Sequence, residues 1–359
     1  MKKKYAKISL LGVILCCLVL VSCNDSFMDR FPLAEIAPEN SFKTAKDLEL
    51  YTNGFYENLP AIKDIIEGDL KTDNVLYTNI PVEQRSHERT VPSDAGSGGW
   101  SWGNLRKINL FFDNYERCAD VVARDKYEGV ARFFRAWFYF DKVKRFGDVP
   151  WYETVIKTGD IDLLYKSRDN REFVVGKIVE DLELAVKKLE NKRSSNLVSR
   201  WTALALLSRV CLYEGTFRKY HTELNLQGGD ALLEKAYQAA ERVINESGYK
   251  LYSTGNADTD YRDLFASDDL KEDEVILGRS YSLILNKMHN INYYFTSRTQ
   301  KDIGLTKDYV DSYLQSDGTA FTAKANYETM NFYDEMQNRD KRLAQTIRSI
   351  GYKRIGGGD

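Results

Sequence analysis

The chain has 359 residues, of which 43% are hydrophobic and 29% charged, so it carries ample apolar material for a sizeable core and disorder is excluded as its main theme. The formal net charge is −2, but residues 1 to 22 contain four lysines and no acid, and the remainder holds 47 basic and 53 acidic residues, net −6. An acidic chain without a concentrated basic stripe lacks the footprint that phosphate binding needs, which argues against nucleic acid as a partner. The 23 Tyr, 17 Phe and 5 Trp residues require either a core or a ligand.

The first element is a basic start, MKKKYAK, followed by the apolar run ISLLGVILCCLVLV from Ile8 to Val21. A helix that crosses the hydrocarbon needs about 20 apolar residues, so this shorter run predicts a cleavable export signal over 1–22. It ends in Leu20-Val21-Ser22-Cys23, the form of a bacterial lipobox, in which the Cys23 thiol accepts a diacylglyceryl group and acylation (palmitate) follows. Two or more acyl chains anchor a protein stably, so a lipidated Cys23 predicts a permanent tether through residues 23–40. Asn24 is not the Asp of inner-membrane retention, which points to the outer membrane. Only Cys118 and Cys211 then remain, in apolar helical stretches, and they read as small buried hydrophobes more naturally than as a metal site or a disulfide, with a single bridge between them as the alternative.

The third unit, residues 41–359, is predicted to be mainly helical. Ser41 is placed to cap a helix whose apolar face uses Phe42, Leu48, Tyr51 and Phe55. Residues 60–99, with Pro60, Pro81, Pro92 and the glycine-rich SDAGSGG, read as an irregular surface excursion. The stretch 105–123 repeats apolar residues at helical spacing through Leu105, Ile108, Phe112, Tyr115 and Ala119, and a second helix runs to a stop at Gly147. In that helix Phe133, Phe134, Trp137, Phe138 and Phe140 read as helix-helix core. Residues 171–190 carry Ile178, Leu182, Ala185 and Leu189 on one stripe, and helices over 201–217 and 231–247 follow, with small residues where neighbours approach. Successive helix pairs of this kind predict a tetratricopeptide-like array, although the strict 34-residue consensus is absent. Beyond it, EVILGRSYS (274–282) reads as strand-like and helix returns at LTKDYVDSYLQ (305–315), before a glycine-rich tail.

In order along the chain, these segments resemble the SusD/RagB family of Bacteroidetes outer-membrane nutrient-binding lipoproteins. FMDRFPLAEIAPENSFKTAKDLELYTNGFY is similar to the family's opening, LRKINLFFDNY to its Ile-Arg-x-x-Asn helix, and EGVARFFRAWFYFDKVKRFGDVPWY to its G-E-A-R-F-x-R-A-x-x-Y-F stretch. The later segments IVEDLELAVKKL, VSRWTALALLSRVCLYEGTF, AERVINESGYKLY, DYVDSYLQSDG and NRDKRLAQTI also correspond. Family members continue past the last of these into a further C-terminal region, so the chain is expected to be a shortened version. The resemblance implies helix pairs that pack on a SusC-like TonB-dependent transporter, and long loops that bind an oligosaccharide, or a peptide in some relatives, and pass it on. It implies a surface-exposed lipoprotein with no catalysis and no cofactor.

A sugar offers flat C–H faces and hydroxyls, so its site needs aromatic platforms beside amide, carboxylate or guanidinium groups. Trp100 and Trp102 leave a glycine loop just before a helix and are the best platforms; Asn104 at the helix entrance is placed to bond a hydroxyl. The alternative for either ring is packing under its own loop, and for Asn104 capping the helix. Asp73, Tyr77 and Arg85 in the preceding excursion, and Tyr293 and Tyr294 further on, are additional ligand candidates; the alternative is plain exposure on a surface loop for the first three and core or strand packing for the two tyrosines. Capture by stacking and hydroxyl bonding predicts weak salt dependence. His87, His221 and His289 are far apart and fit no metal motif, and no nucleophile elbow or phosphate loop occurs. The acidic run Asp268, Asp269, Glu272, Asp273 and Glu274 is a solvated face more readily than a glycosidase pair. The second reading is a helical-repeat scaffold lipoprotein that binds protein partners and no sugar.

Overall fold

The structure is a computed structural model and describes residues 41–78, 80–94, 97–291 and 303–349. The export segment, Cys23 and its tether, Tyr293 and Tyr294, and the glycine-rich tail from 350 lie outside the described residues. Among the described residues, no helix is long and apolar enough to cross a membrane.

Helix α1 (Ala45–Asn53) begins with a reciprocal cap. The Thr44 hydroxyl accepts from the Asp47 amide at 3.2 Å, and the Asp47 carboxylate accepts from the Thr44 amide at 3.0 Å. The cap is therefore Thr44 and not Ser41, because only Thr44 has an acid three residues on. Phe42 precedes the helix with φ +68°, and its fully buried ring lies 4.7 Å from that of Tyr51. The stretch expected to be irregular contains a helix, α2 (Ile62–Asp69), and a strand, β1 (Val75–Tyr77). Strand β1 pairs antiparallel with β2 (Ile303–Leu305), Val75 opposite Leu305 and Tyr77 opposite Ile303. With its partner so distant in sequence, β1 has no hairpin signal.

Helix α3 (Gly103–Phe112) and helix α4 (Val121–Phe146) replace the single helix expected over 105–123. The chain breaks between them because Asp120 caps α4, its carboxylate accepting from the Ala123 amide at 3.0 Å. The break puts Phe111 in the core in place of Phe112 and leaves Ala119 exposed. Helix α4 stops at Gly147, where φ is +69°.

Helices α5 (Arg171–Lys188), α6 (Arg200–Tyr220) and α7 (Gly229–Glu246) follow, and α4 packs on α5, α5 on α6 and α6 on α7. Helices α1 and α3 also pack on α4. The mainly helical array expected from the sequence is the observed fold. Ile178, Leu182, Ala185 and Leu189 are all buried, as are Phe133, Phe134 and Phe140, while Trp137 and Phe138 are partly buried against them. Cys118 and Cys211 are free and buried. Two glycines set the closest approaches: a Cβ at Gly129 would lie 2.8 Å from the Leu189 side chain, and one at Gly215 would lie 2.9 Å from the Gly229 carbonyl.

Buried ion pairs tie the array together. Asp181 on α5 accepts from Arg132 and Arg135 on α4 at 2.7 Å each, and Glu214 on α6 accepts from Arg171 on α5 at 2.9 Å and from Arg218 at 2.9 Å. The paired arginines of the EGVARFFRAW stretch therefore hold two helices together.

In the C-terminal part, residues 274–282 are irregular and not a strand, with a single isolated bridge from Ser282 to Lys287: the Gly278 amide donates to the Ser195 carbonyl at 2.7 Å, which docks the segment on a loop of the array. The helix expected over 305–315 contracts to Lys307–Asp311, because Gln315 leaves it to bridge with Arg339.

Candidate functional site

A cleft of about 640 Å³ opens where the start of α3 meets the chain that returns from α4. Its walls include Trp100, Trp102, Tyr152 and Asn109, with Arg106 and Arg168. Its size and mixed aromatic and polar lining suit a small organic ligand.

The tryptophan wall is held from behind by the last turns of α4. Gly99 adopts φ +84°, and a Cβ there would meet the Arg145 side chain at 3.1 Å, so the loop needs glycine to lie this close to the helix. Lys142 on α4 donates to the Gly99 carbonyl, and burial lowers the pKa of its ammonium. Trp100 then meets Phe146 edge to face at 4.8 Å and Trp102 at 5.1 Å. Trp102 in turn packs against Phe138, Tyr139 and Tyr152. Both indoles are partly buried against the core, and both line the cleft.

The opposite wall is the segment after Gly147. Trp151 stacks on Tyr139 with ring centroids 4.1 Å apart, and the Tyr152 amide donates to the Tyr139 hydroxyl at 2.7 Å. Burial raises the Tyr139 pKa, so the phenol stays protonated. Asn109, on the inner face of α3, donates to the carbonyls of Tyr152 at 3.1 Å and Thr154 at 3.0 Å. Arg106, one helical turn earlier, donates to the Ile156 carbonyl at 2.6 Å. These two residues, the Arg and Asn of LRKINLFF, clamp the wall to α3. The Asn109 side-chain oxygen is buried and has no hydrogen-bond partner among the described residues.

The third side is residues 164–168. Asp169 anchors it, accepting from the Trp151 amide at 2.7 Å and from Lys166 at 2.6 Å. Arg168 extends from this edge with its guanidinium 4.7 Å from the Trp100 ring centroid.

Of the residues singled out in the sequence, the structure brings Trp100 and Trp102 together. Asn104 is exposed on α3, where it neither caps the helix nor lines the cleft. Asp73, Tyr77 and Arg85 lie elsewhere. The Asp73 carbonyl accepts from the Thr306 hydroxyl at 2.7 Å, Tyr77 sits in β1, and Arg85 bonds to Ile80 and Glu88 of its own loop. Arg106, Asn109, Tyr152, Lys166 and Arg168 were not anticipated. The spacing of Arg106 and Asn109 on one face of a helix was available as a signal. The other three are carried in by the return of the chain after Gly147. Among the described residues, no group of three His, Cys, Asp or Glu side chains converges as a metal site would require.

Comparison with known proteins gives a consistent result. A family model described as starch-binding, associating with the outer membrane, of the SusD-like type, matches residues 40–212. SusD-like protein P2 of Formosa agariphila is 28% identical over 239 residues, which cover 60% of this chain and 44% of the relative. A SusD-like protein of Bacteroides ovatus is 26% identical over 291 residues, 77% of this chain and 50% of the relative. The chain thus spans about half the length of the curated relatives it matches. Among solved structures, a SusD-like protein of Bacteroides fragilis superposes with a TM-score of 0.62 at 20% identity, covering 88% of this chain and 62% of its own. A SusD-like carbohydrate binding protein of the same species gives 0.65 at 16% identity, covering 85% and 59%. These structures share the fold. With the family motifs in order along the sequence and the helical array in place, the chain belongs to the SusD/RagB family.

Proposed function

We propose that the protein is a non-catalytic, surface-exposed lipoprotein that captures a glycan in the cleft at the start of α3 and passes it to a SusC-like TonB-dependent transporter in the outer membrane. The observation that carries this reading is the joining of Trp100, Trp102 and Tyr152 in one cleft with polar groups at its rim. Indole and phenol faces match the C–H faces of a pyranose, and the rim donors match its hydroxyls. The family description and the carbohydrate-binding relative support it.

Cys23 is the proposed lipidation site, and the helical array the proposed seat of the transporter. Trp100 and Trp102 are the proposed platforms; Asn104, Asp73, Tyr77 and Arg85 belong to the wider proposed ligand face, as do Tyr293 and Tyr294.

Calorimetry of the soluble chain against an oligosaccharide panel tests the binding claim, and detergent extraction followed by pull-down tests the partner. Sugar binding with a co-purified transporter is the expected result. A transporter without sugar binding favours the scaffold reading, and loss of both removes the proposal.

A further inference from the structure

Resting on the reading of this cleft as a glycan site, we infer that the glycan is anionic, carrying carboxylate or sulfate groups. Among the described residues, the charged ones that line the cleft are Arg106, Lys166 and Arg168, and no carboxylate lines it. This is unexpected in a chain with more acidic than basic residues. Lys166 is neutralised by Asp169. Arg106 and Arg168 have no ion-pair partner among the described residues: Arg106 donates to a carbonyl, and Arg168 rests on the Trp100 ring.

A guanidinium carries five N–H donors in a planar fork that matches carboxylate and sulfate oxygens. Arg106 uses one of them on Ile156, which fixes its position and leaves others for a ligand. Arg168 is exposed, and its contact with an indole orients the fork without using its donors. The cleft also meets the first turn of α3, a helix of 10 residues whose N-cap, Trp102, provides no side-chain acceptor. Its first-turn amides add positive potential on the same side. A neutral sugar would leave these groups without a counter-charge, whereas an acidic sugar supplies it while stacking on the tryptophans. The net negative charge of the whole chain gives no long-range attraction for anions, so the selectivity is local to the cleft.

The test compares oligogalacturonate with the same oligomer after carboxyl reduction, and carrageenan oligosaccharide with its desulfated form, by calorimetry on the soluble chain. A wide neutral oligosaccharide panel runs in parallel. The expected result is that the acidic member of at least one pair binds about tenfold more tightly than its neutral partner. The pair that discriminates identifies carboxylate or sulfate. This advantage should shrink when salt rises from about 0.05 M to 0.5 M. Arg168→Gln should abolish it, Arg168→Lys should retain part of it, and Trp100→Ala should weaken both members together. Equal binding of acidic and neutral members, or binding by neutral sugars alone, overturns the inference and leaves the glycan reading standing. An acidic advantage that survives Arg168→Gln unchanged also overturns the assignment. Binding of no sugar in either pair or in the neutral panel removes both.

Discussion

In the helical array, Arg135 lies 4.3 Å over the Phe112 ring and Arg171 lies 3.6 Å over that of Phe217, and each closes onto a buried carboxylate, Asp181 or Glu214. At the cleft, Arg168 lies 4.7 Å over Trp100 and closes onto no carboxylate among the described residues. The ring contact is the same in kind, and the environment at the other end decides the role. Where the carboxylate belongs to the protein, the arrangement ties helix to helix. Where it is missing and the guanidinium is exposed, a position is left for an acid from outside.

The largest effect that sharpens this comparison is on Asp181. Asp181→Ala leaves the buried Arg135 without a carboxylate, while Arg132 keeps its pair with Glu128 at 2.7 Å, and should cost about 3–5 kcal/mol in urea unfolding. A loss below about 1 kcal/mol would place this pair with ordinary surface ion pairs and erase the contrast. Gly215→Val comes next: the added side chain meets the Gly229 carbonyl and Leu233, and should cost about 1–3 kcal/mol by the same measurement. Thr44→Ala removes the reciprocal cap of α1 and should cost about 1 kcal/mol. The smallest effect belongs to the cleft. Arg168→Gln should change stability by less than about 0.5 kcal/mol, because an exposed side chain without an ion pair holds little of the fold. If Arg168→Gln destabilised the protein as much as Asp181→Ala does, Arg168 would be a structural tie and not a ligand group.

A chemical probe separates the two regions further. Burial pushes the Cys211 thiol up to about 12, so its thiolate is scarce at neutral pH and the array shields it. Alkylation of Cys211 should therefore proceed only as the array unfolds, as read by mass spectrometry across a denaturant series. Rapid labelling in the folded protein would contradict the packing of α6.

The regions also differ in how far the sequence reveals them. The array is legible because its signals are local: the stripe Ile178, Leu182, Ala185 and Leu189 repeats at helical spacing, and Gly147 stops a helix where a left-handed residue is needed. The break at 113–120 is not legible in the sequence because apolar spacing continues across it, while the Asp120 cap that starts α4 overrides the pattern. In the cleft, Trp100 and Trp102 were visible from their place after a glycine loop. The cations were not, because Arg106, Lys166 and Arg168 are scattered in sequence and meet only when the chain folds back after Gly147. With the tryptophans alone in view, capture by stacking and hydroxyl bonding predicts weak salt dependence, whereas the cations of the folded cleft predict a marked one for an acidic ligand.

The central claim is that the cleft at the start of α3 binds a glycan through its tryptophan wall. The most direct test is the affinity of the wild-type chain and of Trp100→Ala for the tightest sugar of the panel, with melting curves of both. The account predicts at least about a tenfold loss of affinity in a variant that remains folded. Equal affinity in the two proteins would place the sugar elsewhere and contradict it.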